Sequence, residues 1–414
     1  MRRVLSRAVR SAEILVIALA TACGHAPPPA RPIASTPPAP VAAVAQEKAP
    51  PADLAAAEAA IERGREATTR WDFAAAVREL EPALATYDRL LPKNDPRIEP
   101  VVISLARAYR GASRWDLGER AARRAAALAA DASDASEQLI AQNELGLIYE
   151  ESGRKDEAIA VYQAALDSAN ARGGDDIEEA KVTTEHNLGL AYSDRGDYAE
   201  AERLLEHVLA ADRKADPRSV STANTMHNLA LAYRDDGKLD QAKAMFEEAL
   251  AILTERLGTK HARLGPTLNG LAGTLHLKKD LAGAEALYRR SLALSAAGGQ
   301  LDPVAASDLA DVETDLGHPA EALVLIEKSL AAELARSPYP NDEIVRTLVK
   351  RLRAHLALGN LPAAEADTTA AISASRQANA NNPTQVKVTI KWVADEWQHA
   401  GNAQRARSLR LTKP

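Results

Sequence analysis

The sequence predicts an all-α chain, a row of about nine stacked helix hairpins with no sheet. Three observations predict it. The stretch "HNLGLAYSDRGDYAEAERLLEHVL" (His186–Leu209) returns 41 residues later, little changed, as "HNLALAYRDDGKLDQAKAMFEEAL" (His227–Leu250). Turn residues recur at Thr69, Ser113, Gly153, Gly196, Gly237, Lys279, Gly317, Gly359 and Gly401, with gaps of 44, 40, 43, 41, 42, 38, 42 and 42. Asp95-Pro96, Asp216-Pro217, Asp302-Pro303 and Asn382-Pro383 stand where new helices should begin, an N-cap residue followed by proline at the first helical position. A fixed period of this length marks a repeat array. The composition, 46% hydrophobic but only 4% aromatic and rich in alanine, suits closely packed helices better than one large core.

In chain order, the first element is an export signal. Arg2, Arg3, Arg7 and Arg10 precede the apolar run Ile14–Ala22, which is too short to span a bilayer, a task for about 20 residues. Ala20-Thr21-Ala22 has the small-x-small form of a cleavage site, so residues 1–22 read as a signal peptide, with Glu13 as its one unusual residue. Cys23 follows directly and is the only cysteine, so the fold cannot rely on an intrachain disulfide. Cys23-Gly24 after such a segment resembles the lipobox of bacterial lipoproteins, although Ala20 stands where that family prefers Leu. The resemblance implies acylation of Cys23 and an outer-membrane lipoprotein facing the periplasm. Ordinary secretion, with a soluble product and a free Cys23, is the other reading. Residues 23–52 follow as a linker. Nine of the 22 prolines fall between Gly24 and Ala52, a composition that forms a semi-rigid spacer and no core.

The array is expected over residues 53–411. In the second copy of the phrase, Leu229, Ala230 and Tyr233 share one helical stripe before the turn, and Ala242, Phe246, Ala249 and Leu250 share one after it. Two helices joined by a tight glycine turn make an antiparallel hairpin. Five residues beyond each turn stands a small residue: Ala74, Gly118, Ala158, Ala201, Ala242, Ala284, Ala322, Ala364 and Ala406. A larger side chain there would force the two helices apart. The last pair, residues 383–411, carries Trp392 and Trp397 and ends in Arg405, Arg407 and Arg410. It reads as a cap with both tryptophans buried rather than stacking on a ligand.

Leu145-Gly146 with Tyr149, Ala158, Tyr162 and Ala165 resembles a tetratricopeptide repeat. So do Leu188-Gly189 with Tyr192 and Ala201, and Leu229-Ala230 with Tyr233, Ala242 and Phe246. The period near 42, against the usual 34, is similar to that of kinesin light chain and its bacterial relatives, most closely over Leu257–Leu294. The resemblance is strongest over residues 138–294. It departs where Glu313 and His355 stand in the Tyr place, so the seventh and eighth pairs are expected to pack differently, and Arg65 occupies that place in the first pair. It implies a right-handed superhelical solenoid whose first helices line a concave groove.

No linear motif of catalysis is present: no H-E-x-x-H, no phosphate loop, no nucleophile elbow and no paired-cysteine metal site. No catalytic residue, metal or cofactor is therefore expected. Asp175-Asp176 and Glu178-Glu179 admit a calcium reading, but no EF-hand spacing accompanies them and a solvated helix start explains them better. His186 and His227 hold one place in neighbouring hairpins, and Asn143 and Asn269 hold it on either side. A histidine metal pair lacks ligand spacing. A polar groove floor is the better reading, and Thr183, Asn224, Glu150, Ser193, Arg234 and His276 join it. Asn187 and Asn228 lie beside the row, with hydrogen bonds to the neighbouring hairpin as their second reading. Formal net charge is −6, and removing residues 1–22, with four Arg and one Glu, leaves −9. That balance speaks against nucleic acid.

The expected function is a non-enzymatic scaffold that binds a protein or peptide in its groove, anchored in the envelope through Cys23 and serving assembly of an envelope complex. No small-molecule substrate is expected. The alternative is a regulatory subunit of a separate signalling or transport enzyme, acting from the cytoplasmic side with the leader uncleaved. An enzyme with an unrecognised site is the third and weakest reading.

Overall fold

The computed structural model describes residues 51–131, 134–173, 177–299, 301–336, 341–379 and 382–414. The expected leader, Cys23, most of the expected linker and Asp175-Asp176 lie outside them. Among the described residues there are eighteen α-helices, one short 3₁₀ turn and no strand. The chain is a helical solenoid, as its composition and period predict.

Two compact units are present, divided between Ala211 and Asp212. The N-terminal unit holds α1 (Pro51–Thr69), α2 (Phe73–Leu90), α3 (Ile98–Gly111), α4 (Trp115–Asp131), α5 (Ala135–Glu151), α6 (Lys155–Arg172), α7 (Glu178–Arg195) and most of α8 (Tyr198–Ala215). The C-terminal unit holds α9 (Val220–Asp235), α10 (Leu239–Leu257), the 3₁₀ turn Ala262–Leu264, α11 (Gly265–Leu277), α12 (Leu281–Ala297), α13 (Pro303–Asp315) and α14 (Pro319–Arg336). It continues with α15 (Asp342–Ala357), α16 (Leu361–Ala378), α17 (Pro383–His399) and α18 (Ala403–Arg410).

Each hairpin turns through one residue in the left-handed region. Trp71, Ser113, Gly153, Gly196, Gly237, Lys279, Gly317, Gly359 and Gly401 all have φ between 56° and 96°. The first of these corrects the expectation of Thr69. The turn comes at Trp71, closed by the Asp72 N–H donating to the Ala67 carbonyl at 2.9 Å. The closely packed alanine of that pair is accordingly Ala76, fully buried, and not the exposed Ala74. Ala67, not Arg65, holds the Tyr place. The remaining alanines five residues past their turns, from Ala158 to Ala406, are each fully buried. At Gly118 a Cβ would lie 3.2 Å from the Ile148 Cδ1.

Two of the four Asp/Asn-Pro pairs cap as expected. The Asp302 carboxylate accepts from the backbone N–H groups of Val304 and Ala305, and the Asn382 side chain accepts from Gln385. At Asp95 and Asp216 the helix starts later. There the carboxylate accepts from the N–H two residues on, at 3.0 Å and 2.9 Å, folding a local Asx turn around the proline. The helices then begin at Ile98 and Val220, the latter capped by Ser219.

Within each unit the first helix of a pair packs on its own second helix and on the first helix of the next pair: α3 on α5, α5 on α7, α9 on α11, α13 on α15 and α15 on α17. Second helices do not pack on one another to this extent, so the first helices make the tighter, inner face. The C-terminal cluster joins Leu352, Ile372, Ile390, Val393 and Trp397, and the Trp397 Nε1–H donates to the Thr368 hydroxyl at 2.8 Å. Trp392 is buried as well.

Candidate binding surface

The sequence places ten residues on an open groove floor, and the structure sets half of them under cover. In the N-terminal unit Asn143 and Ser193 are buried, Glu150 and His186 are half-buried, and Thr183 is exposed. In the C-terminal unit His227, Arg234 and Asn269 are buried, and Asn224 and His276 are half-buried. The physical reason is the close packing of successive first helices. The Asn143 side-chain N–H donates to the Thr184 hydroxyl at 2.9 Å. The His227 Nδ1 lies 3.2 Å from the Thr267 hydroxyl, and its ring meets Phe246 edge-on with centroids 5.3 Å apart. The Asn269 side-chain N–H donates to the Asp302 carboxylate at 3.0 Å. The expectation of a freely exposed row is therefore corrected: these side chains tie one hairpin to the next.

Each tie uses only part of its side chain. The Asn143 Oδ1, the His227 Nε2 and the Asn269 Oδ1 are buried with no hydrogen-bond partner. All three sit ten residues before a turn. A buried polar atom left unpaired costs about 1–3 kcal/mol, and three of them share this one register place.

The electrostatics around the row divide by unit. In the N-terminal unit burial, with Asp194 and Glu151 adding like charge, pushes the Glu150 carboxyl up to about 8 despite a hydrogen bond from the Tyr162 hydroxyl at 3.2 Å. In the C-terminal unit burial and the nearby Arg234 charge lower the His227 imidazole to about 3, so it stays neutral. His276 hydrogen-bonds Asp315 at 2.7 Å. Burial alone would raise the Asp315 carboxyl, but the His276 hydrogen bond and the Arg353 guanidinium outweigh it and hold it at about 2.

Sequence reasoning missed a charged row on the same inner face. Arg353 pairs with both Asp311 and Asp315 and lies 3.8 Å from Glu396, while Lys350 pairs with Asp308. Burial and the neighbouring aspartates raise Glu396 to about 7. The signal was available. Asp311, Arg353 and Asp395 all stand six residues before their turns, one helical turn beyond the predicted row, where the two pairs of the quoted phrase have Leu190 and Leu231. Thr184 and Thr267 were missed too. They stand twelve residues before their turns, and each answers the polar residue of the preceding hairpin.

Among the described residues no helix is long and apolar enough to cross a membrane. Tetratricopeptide repeat profiles match residues 140–172, 180–255 with 221–297, and 303–328. No curated protein matches the chain by sequence. Among solved structures it is similar to apo RapI, 12% identical with a TM-score of 0.61, covering 86% of this chain and 95% of that one. It is similar to the quorum sensor NprR in complex with its cognate peptide NprX, 15% identical with a TM-score of 0.54, covering 86% and 96%. A putative kinesin light chain from Podosopora anserina with TPR-like repeats is 24% identical over 48% of this chain and 96% of that one, with a TM-score of 0.41. These likenesses concern the fold. The chain carries tetratricopeptide repeats over residues 140–172, 180–297 and 303–328.

Proposed function

We propose that the protein is a non-enzymatic scaffold that binds a protein or peptide segment along the inner face of its first helices. The observation that carries this is the set of unpaired buried atoms at one register place, the Asn143 Oδ1 in the N-terminal unit and the His227 Nε2 and Asn269 Oδ1 in the C-terminal unit. An extended backbone offers N–H and C=O groups in alternation, the chemistry that these atoms lack. Neighbouring hairpins already hold Asn143, His227 and Asn269, so little ordering remains to be done on binding. Because these atoms are buried, the segment reaches them only as the side chains over them move aside. The fold likeness to NprR, described with its cognate peptide, supports the same class of partner.

The proposal extends to an anchor at Cys23, which would hold the array on the periplasmic side of the outer membrane, in the service of an envelope assembly. The motive is the single cysteine directly after an export-type segment. A regulatory role from the cytoplasmic side is the second reading, favoured by the fold likeness to a quorum sensor. Labelled palmitate separates them: incorporation that Cys23→Ala abolishes supports the anchor, and an uncleaved, unlabelled chain supports the second reading.

Binding is tested by selecting a random displayed peptide library on the full chain and measuring affinities by fluorescence anisotropy. Asn143→Ala should weaken peptides held by the N-terminal unit, and Asn269→Ala those held by the C-terminal unit, each by about tenfold and with helix content retained, the worth of one hydrogen bond of about 1.4 kcal/mol. Failure to enrich any peptide, or affinities untouched by both changes, would refute the inner-face site.

A further inference from the structure

The seventh hairpin, α13 and α14, carries different groups where three other hairpins share a contact. In the second, third and fifth pairs a tyrosine four residues before the turn lies under a cation one residue after it. Arg114 sits 4.9 Å from the centre of the Tyr109 ring, Arg154 4.1 Å from that of Tyr149, and Lys238 5.8 Å from that of Tyr233. At the seventh turn, Gly317, the same two places hold Glu313 and His318. One helical turn into α14 a further carboxylate, Glu321, joins them.

The three groups converge. The His318 Nδ1 is 3.0 Å from the Glu313 Oε2 and 3.9 Å from the Glu321 Oε2. The donor atoms of all three lie within 4.8 Å of one another. The nearest point equidistant from three atoms so placed lies about 2.0–2.4 Å from each, close to the reach of an imidazole nitrogen or a carboxylate oxygen to zinc. The backbone fixes the triangle. The His318 N–H donates to the Glu313 carbonyl at 2.8 Å, and the Glu321 N–H donates to the His318 carbonyl at 3.1 Å.

The surroundings favour a cation as well. The Glu313 side chain is 2% exposed. Arg289 donates to its Oε1 at 2.7 Å, which orients the carboxylate and leaves Oε2 turned to His318. Held carboxylates of this kind are the usual outer support of a metal ligand. The Arg289 charge is itself met by Glu285, one helical turn away, at 2.5 Å. Glu313 and Glu321 therefore offer a bound dication two carboxylates besides that of Glu285, which meets Arg289.

We propose that Glu313, His318 and Glu321 bind a divalent transition-metal ion of the zinc class, clamping the α13–α14 turn. One imidazole and two carboxylates suit zinc better than the all-oxygen preference of calcium or magnesium. Three protein ligands leave coordination positions for water or for a group on a partner.

The test uses the full chain, stripped with a chelator and titrated with Zn²⁺ by calorimetry, with melting followed in parallel. Wild type should bind one equivalent and melt at a higher temperature when loaded. His318→Ala should abolish that binding and Glu321→Gln should weaken it by about tenfold or more, the scale that even outer partners of a metal command. Both side chains are more than half exposed, so the metal-free melting temperatures should match wild type and exclude misfolding as the cause. His207→Ala, at the separate pair with Glu185, should bind as wild type. The site is refuted by absence of Zn²⁺ binding, by binding that His318→Ala or Glu321→Gln leaves intact, or by a preference for Ca²⁺.

Discussion

Glu150 illustrates how a single residue of the inner face reads out its surroundings. Its carboxyl is raised from 4.5 to about 8, first by burial and then by Asp194 and Glu151, against the pull of the Tyr162 hydroxyl and Lys155. A carboxyl whose folded value lies above its unfolded one binds its proton more tightly in the native state. Its contribution to stability is therefore full below pH 4.5 and is lost as pH rises through about 8. Glu150→Gln keeps an acceptor for Tyr162 and removes the titration. The variant should match wild type near pH 4.5 and be more stable at pH 9 by about 1–3 kcal/mol, below the full linkage value because the side chain keeps some solvent contact. Urea melts across this pH range check it, and parallel curves for the two proteins would show that Glu150 does not couple to folding. Such a residue could be named from sequence but not understood from it. Glu150 was legible as an inner-face position by its distance from a turn. Its protonation depends on Tyr162, twelve residues on, and on Asp194 in the next hairpin, which linear spacing does not bring together. The same holds for His227: its register place is in the sequence, whereas its burial follows from Thr267 and Phe246 closing over it.

At the scale of the hairpin, the turn is the element that the repeat period encodes most strongly. Left-handed backbone is the requirement, and glycine meets it at six of nine turns. Trp71, Ser113 and Lys279 adopt it as non-glycines, at φ 62°, 56° and 68°. An L-residue there costs about 1–2 kcal/mol, partly offset by the freedom that glycine loses on folding. Lys279→Gly should therefore stabilise the protein by about 0.5–1 kcal/mol, since its side chain is 76% exposed and its contact with Asp315 is a loose 3.8 Å. Gly237→Ala should destabilise by about 1 kcal/mol, with no steric contribution because a Cβ there meets nothing within 4 Å. Thermal melts of the pair decide it, and a fall in stability for Lys279→Gly would mean that the lysine side chain outweighs the strain of its backbone. Regular glycine spacing made most hairpins legible in advance. The first slipped by two residues because Trp71, a poor candidate for left-handed backbone, takes the turn. Helix starts were legible where Asp302 and Asn382 cap directly, and shifted where Asp95 and Asp216 spend their carboxylates on a local turn instead.

For the whole molecule, the question is how far the stability of one pair depends on the pair beside it. Each pair covers an apolar stripe of the pair before it, and α17 and α18 cover that of α15 and α16. Here α17 and α18 place Val386, Ile390, Val393, Trp397 and Leu409 against a cluster that includes Leu348, Leu352 and Ile372. Removing residues 382–414 should expose that stripe while leaving earlier pairs their own neighbours. The truncated chain is thus expected to keep its helix content over the N-terminal pairs, to bind a hydrophobic dye that wild type does not, and to lose protection from hydrogen exchange first in α15 and α16. Trp397→Ala, which empties a fully buried site and releases the Thr368 hydroxyl, should move in the same direction by about 3–5 kcal/mol without removing the cap. Exchange measured by mass spectrometry separates the outcomes residue by residue. If truncation melted α3 to α6 together with α15 and α16, stability would not be passed from neighbour to neighbour, and the chain would be one cooperative core that merely repeats its sequence.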